Sequence, residues 1–157
     1  MLIYGFLNKL RKSSLLLALV IGLGPLWLKA DVVGKAQLQL TIKGVERTEG
    51  HIIVGLFACE SSYLEGVHPL FHVLLPAEPS NGKVIYTFKA LPTGTYAIKL
   101  FHDINDNQKL DSNWLGIPRE PYGFSNNPRI RFGPPDFAAT RFHVPSGQLA
   151  KQTVVLN

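Results

Sequence analysis

Residues 83–101 read KVIYTFKALPTGTYAIKLF, two short apolar-rich runs separated by Pro92-Thr93-Gly94. Proline fixes its own φ and glycine accepts positive φ, so the triplet predicts a tight turn, and the flanking runs 83–91 and 95–101 predict strands. Upstream, Leu38, Leu40 and Ile42 alternate with Gln37, Gln39, Thr41 and Lys43, the period of a strand with one buried and one wet face. A polar turn at 46–50 leads into HIIVGLFA at 51–58, which is apolar on both sides and so predicts a more central strand. Residues 60–79 carry Pro69, Pro76 and Pro79 without a clean period and predict a crossing loop with a helical turn. Downstream, 137–144 and 148–156 flank Pro145-Ser146-Gly147 and predict a closing pair of strands. Six or seven short strands with turn signals between them, and no long helical pattern, predict an all-β chain folded as an antiparallel β-sandwich.

The chain has 157 residues and a formal charge of +5, and the charge is lopsided. Lys9, Arg11, Lys12 and Lys29 lie in the first thirty residues, which hold no acid; without them 12 basic side chains face 11 acidic ones. Residues 13–28 read SSLLLALVIGLGPLWL, an uncharged run behind a basic cluster and ahead of Ala30. A cationic region, an apolar core and a small residue at the exit are the layout of a secretory signal peptide. The run is shorter than the about 20 apolar residues of a comfortable membrane span and is interrupted by Gly22, Gly24 and Pro25. The expected organisation is therefore a signal peptide over 1–30, cleaved after Ala30, and a β-sandwich domain over 31–157, exported to the periplasm or secreted. Membrane contact is expected only through that segment if it stays uncleaved, and the near-neutral remainder gives no electrostatic case for nucleic acid. Cys59 has no intrachain partner for a disulfide and, ending an apolar run, is expected as a small buried hydrophobe.

One segment breaks the rhythm. Residues 102–136 are rich in Asn, Asp, Gly and Pro, yet contain Trp114, Tyr122, Phe124 and Phe132, so an ordered loop is expected in place of a disordered one. Its opening places Asp103, Asn105, Asn107 and Asp111 at offsets 1, 3, 5 and 9, with the Lys109 carbonyl at offset 7. That spacing turns hard oxygen ligands toward a common centre and suits a structural calcium ion, with Glu120 closing the shell if the chain folds back. Asx side chains bonding their own backbone two residues on would select the same residues without a metal. Trp114 stands where a calcium hand supplies its bidentate Glu, and Gln108 where such loops place Gly, so a true helix-loop-helix hand is not expected. His102, beside the loop, is expected as a packed histidine at a strand end.

The stretch 91–127, LPTGTYAIKLFHDINDNQKLDSNWLGIPREPYGFSNN, resembles the signature GxYAI…HDxNxNxxxD…GIPxEPYGFSNN of a family of exported bacterial proteins known as a domain of unknown function. Members of that family commonly carry Gly where this chain has Gln108. Residues 91–97 also resemble the LPxGxY element of transthyretin-like and carboxypeptidase-regulatory-like sandwich domains. The resemblance implies a sandwich and an exported location, and it carries no established activity.

The expected function is non-enzymatic. The acidic loop, rigidified by Pro118 and Pro121, presents a binding surface of Trp114, Tyr122, Phe124, Asn126 and Asn127 to a cell-envelope protein or glycan. The alternative is a carboxylate-based hydrolase in the same loop, since Asp103, Asp111 and Glu120 lie near aromatic residues as in many carbohydrate sites. No catalytic nucleophile motif, phosphate loop or dinucleotide fingerprint is present.

Overall fold

The structure is a computed structural model and describes residues 35–131 and 133–157. The expected signal peptide, its cleavage after Ala30 and the aromatic Phe132 lie outside the described residues. Among the described residues no helix is long and apolar enough to cross a membrane.

Among those residues, eight strands and two short helices succeed one another as β1 (Ala36–Lys43), β2 (His51–Phe57), α1 (Glu60–Glu65), β3 (Phe71–Pro76), β4 (Lys83–Leu91), β5 (Gly94–Asp103), β6 (Tyr122–Phe124), α2 (Phe137–Thr140), β7 (Phe142–Val144) and β8 (Leu149–Val155). The strands form two sheets. One has the order β4-β1-β8; the other runs β3-β2-β5-β6, with β7 also paired to β5. The chain is thus an all-β sandwich. Its pairs are antiparallel except β1 with β8, which run parallel from Gln37↔Leu149 to Lys43↔Val155. A parallel neighbour requires a long crossover, and here nearly the whole domain lies between the two strands.

The period-two reading of β1 holds residue by residue: Ala36, Leu38, Leu40 and Ile42 are fully buried. They meet Ile52, Val54 and Leu56 of β2 and Ile98 and Leu100 of β5 in one core cluster, the two inner faces interdigitating as in other sandwiches. β2 is central, between β3 and β5.

Three local expectations are corrected. Pro92-Thr93-Gly94, expected as a tight turn, is an arch that carries the chain across the sandwich, because β4 and β5 belong to different sheets. Gly94 opens β5 without positive φ, and the left-handed residue nearby is Ala90 at φ 61°. Ala90 sits where the β1–β4 register shifts, between Ala36↔Leu91 and Leu38↔Phe88, so the one extra residue on β4 forms a bulge. The Tyr96 hydroxyl donates to the Pro92 carbonyl at 2.7 Å and Thr93 Oγ1 donates to the Val144 carbonyl at 3.0 Å, fixing the arch. Second, residues 60–79 contain not only the helical turn α1 but the strand β3, which pairs with β2 from His51↔Pro76 to Leu56↔Phe71. Third, 137–144 and 148–156 are not a pair: Phe137–Thr140 is helical, β7 joins β5 and β8 joins β1.

The long segment is ordered but divided, because β5 extends through Asp103 and β6 splits the remainder. Two glycines let backbone approach here. A Cβ on Gly50, at φ 71°, would lie 1.9 Å from the Asp103 carbonyl oxygen, and one on Gly123 would lie 2.7 Å from both Val154 Cγ1 and Val155 O. Gly123 therefore turns its bare face to β8, and Tyr122 and Phe124 necessarily point the other way.

Candidate functional site

Alternation along β2 and β5 sends Ile52, Val54, Leu56, Ile98 and Leu100 inward. Ile53, Gly55, Lys99 and Phe101 consequently face outward. The strand register aligns these residues in two rows across the sheet. One row is Leu74, Ile53, Phe101 and Tyr122; the next is His72, Gly55, Lys99 and Phe124. Outer faces of antiparallel sheets are ordinarily polar, whereas this one is dominated by aliphatic and aromatic groups. The face is the floor of a groove of about 750 Å³, walled by His68 and Pro69 after α1 and by Gln108 and Leu110 of the acidic loop. That volume lies within the usual range of small-molecule sites. Gly55 lies between His72 and Lys99, and a Cβ there would come within 2.9 Å of the Phe57 ring, so its bare backbone makes room for that ring.

At one end of the outer face, α1 and α2 cover the sheet. Tyr63 is fully buried and packs edge-on against Phe57 and Phe137, both at 5.6 Å between ring centroids. Lys99 reaches from the groove floor to this cluster: its ammonium lies 4.0 Å from the Tyr63 ring centroid and donates to the Tyr63 carbonyl. Burial lowers the Lys99 pKa below its ordinary 10.5 and raises that of the Tyr63 phenol. Among the described residues no carboxylate pairs with Lys99; the one ion pair joins His51 Nδ1 to Asp106 Oδ1 at 2.6 Å. Among them, too, no Asp or Glu lines the groove.

The acidic loop closes the opposite end. Asp103 is 1% exposed, its Oδ1 accepting from the Asn107 N–H at 3.1 Å and its Oδ2 from the Gln108 N–H at 2.7 Å. Asn105 Oδ1 accepts from the Asn107 N–H, and Asn107 Oδ1 from the Lys109 N–H, each two residues on. The Asn105 and Asn107 amide groups donate to the two Asp111 oxygens at 2.8 and 3.1 Å. The chain does fold back, bringing Glu120 among them: it is 7% exposed and accepts from the Ile104 N–H at 2.9 Å and the Asp111 N–H at 3.0 Å. The spacing seen in the sequence thus gathers the expected oxygen donors, but each carboxylate is held by N–H groups of the loop itself. Among the described residues, no three His, Cys, Asp or Glu side chains are arranged to hold a metal ion. Gln108 adopts φ 60°, so the position where the family resemblance suggests glycine is a left-handed one.

The expected binding-surface residues separate. Tyr122 and Phe124 line the groove, stacked edge-on at 5.9 Å. Trp114 is 89% exposed at a loop tip outside it, where Asn113 Oδ1 accepts from the Leu115 and Ile117 N–H groups. Asn126 and Asn127, at φ 63° and 47°, bind backbone. Asn126 donates to the Ala139 and Arg141 carbonyls, and Asn127 donates to the Thr153 carbonyl and accepts from the Val155 N–H. They tie β6 to α2 and β8. His102 is 1% exposed and donates through Nε2 to the Glu49 carbonyl at 2.8 Å. Cys59, expected to be buried, is exposed at the start of α1. Its Sγ lies 3.5 Å from Ser61 Oγ and 3.1 Å from Ser62 Oγ, and these hydroxyls, Ser61 first, lower its pKa from 9.0 to about 7.

Sequence reasoning missed Gly55, His72, Lys99 and Phe101. The signal that could have found them is the composition of β2, which is apolar on both faces although only one face can meet the other sheet.

Fold and site together define an all-β sandwich module with an aromatic groove on the outer face of its larger sheet. The chain belongs to the DUF2141 family, described as uncharacterized proteins conserved in bacteria, which matches residues 40–152. No curated protein and no solved structure matches it. The matched region spans both sheets, the whole acidic loop and the groove.

Proposed function

We propose that the chain is an exported, non-catalytic binding module of the bacterial cell envelope, and that its binding surface is the groove on the outer face of the five-stranded sheet. The observation that carries this reading is the lining of the groove, whose floor is aliphatic and aromatic and whose wall residues Val67 and Leu110 are 44% and 37% exposed. Apolar surface left in water favours a partner that covers it, at roughly 25 cal/mol per Å². The partner classes expected from the sequence are a protein and a glycan; this face suits an apolar protein segment, or an apolar small molecule not expected there, better than a glycan, whose hydroxyls need many polar partners. The carboxylates that a hydrolase would use are engaged by backbone and amide N–H groups, which supports a structural role for them. The N-terminal segment supplies the export signal, a role tested by fusing residues 1–30 to a periplasmic reporter enzyme.

The groove is tested with a neutral apolar fluorophore, N-phenyl-1-naphthylamine. The native protein is expected to bind it saturably, and Phe101→Glu, an outward substitution, is expected to abolish binding with an unchanged unfolding midpoint. Saturable binding unaffected by Phe101→Glu overturns the assignment, as does an absence of binding.

Calcium belongs to the loop in this reading and not to the groove. Three aspartates within nine residues and the returning Glu120 support an oxygen-lined site, but the Asn105 and Asn107 amides must first turn away from Asp111. Thermal unfolding with calcium against chelator reads the point directly: an unchanged midpoint removes calcium and leaves the groove reading intact.

A further inference from the structure

Resting on the reading of the groove as the binding face, we propose that its occupant is an alkyl carboxylate, its chain against the apolar floor of Ile53, Phe101, Tyr122 and Phe124 and its carboxylate on the Lys99 ammonium. Ile53, Phe101 and Tyr122 lie side by side on three neighbouring strands, which at about 4.8 Å between neighbours makes an apolar floor about 10 Å across.

The head group is set by charge. Lys99 stands in the adjacent row, one alternation from Phe101, with His72 two strands away across Gly55. The ammonium spends one donor on the Tyr63 carbonyl and rests on an aromatic face, so it keeps donors free and has no carboxylate partner among the described residues. Every ionisable side chain lining the groove, among the described residues, is basic or phenolic: His68, His72, Lys99 and Tyr122. A partly desolvated ammonium in surroundings without acid is complementary to one anionic group, and burial strengthens such a charge-assisted bond. A cationic or neutral head would leave Lys99 uncompensated. Burial already lowers the Lys99 pKa, so a bound carboxylate is expected to restore it toward the ordinary value.

The test compares decanoate with decanamide, its neutral isostere, on the full chain by isothermal titration, with backbone NMR shifts reporting the site. Decanoate is expected to bind about tenfold or more tightly than decanamide, as one charge-assisted hydrogen bond implies, with shifts centred on Gly55, Phe101 and Phe124. Lys99→Met keeps the aliphatic stem, and the Tyr63 carbonyl retains the Gly66 N–H. This variant is expected to bind both probes equally and weakly, and Lys99→Arg to restore the preference. Equal affinity of the native protein for the two probes overturns the carboxylate assignment while leaving the apolar groove standing. Failure of both probes to shift any groove amide overturns the groove reading as well.

Discussion

Glu120 is the residue on which the acidic loop turns, and removing its carboxylate tests that directly. Its two oxygens accept from the Ile104 and Asp111 N–H groups at 2.9 and 3.0 Å, and the side chain is 7% exposed. One side chain therefore fastens the start of the loop to its middle. Hydrogen bonds to a charged acceptor contribute about 1.5–3 kcal/mol each, and a buried N–H left without a partner loses its hydration too. The two bonds share one carboxylate and Asp111 lies near water, so they are not fully additive; Glu120→Ala is expected to lose about 3 kcal/mol. In a domain of this size that lowers the unfolding midpoint by roughly 10 °C. Glu120→Gln keeps one carbonyl acceptor but turns an amide donor toward the other N–H, and is expected to lose about half as much. Urea unfolding of both variants gives the difference, read as a shift in midpoint at constant slope. Amide exchange should quicken at Ile104 and Asp111 ahead of the core strands. A Glu120→Ala variant within about 0.5 kcal/mol of the native protein, the scatter of ordinary surface substitutions, would refute the tether.

Two further outcomes rest on the loop and helix geometry. Gln108 sits at φ 60°, where a side chain is strained by about 1 kcal/mol, so Gln108→Gly should raise the unfolding midpoint measurably in the same denaturation assay; an unchanged or lowered midpoint would contradict the strain. For Cys59, the neighbouring serine hydroxyls favour the thiolate, so the rate of alkylation by iodoacetamide should rise through a midpoint near pH 7 and not near 9. Ser62→Ala should move that midpoint upward. The sign for stability is the same as for a carboxylate: the depressed value makes the Cys59 contribution fullest above the unfolded pKa and lost as pH falls through about 7.

Strand periodicity was legible because it reports directly on burial. Leu38, Leu40 and Ile42 alternate with polar residues, and all three are fully buried. Pairing was not legible, because a turn signal such as Pro92-Thr93-Gly94 fixes a change of chain direction and says nothing about which sheet the next strand joins. The same gap hid the separation of β7 from β8. β3 escaped because three prolines surround it, although proline is compatible with a strand that forms an edge, as β3 does. In the loop, Asp103, Asn105, Asn107 and Asp111 lie together with Glu120, which the returning chain brings back to the Ile104 and Asp111 N–H groups. What occupies their oxygens depends on the N–H groups that the chain folds back toward them, and that is a property of three dimensions. Trp114 is legible as an aromatic residue but not as an exposed one.

The loop and the groove, which the sequence presents as separate features, are mechanically one. Gln108 and Leu110 form part of the groove wall, and both lie between the backbone groups that the buried carboxylates hold. Asp103 secures the N–H of Gln108, and Glu120 secures the N–H of Asp111, immediately after Leu110. Tyr122, on the groove floor, lies two residues beyond Glu120 and exchanges hydrogen bonds with Asn157, past the end of β8. Two carboxylates, those of Asp103 and Glu120, therefore hold the backbone at or beside both wall residues without themselves lining the groove. This explains how a loop so rich in acids can border a site with no acid in it: Asp103, Asp111 and Glu120 accept from N–H groups of the loop, Asp106 pairs with His51, and Gln108 and Leu110 are left to line the groove. Among the described residues lining the groove, Lys99 on the floor is then the Lys, Arg, Asp or Glu side chain present.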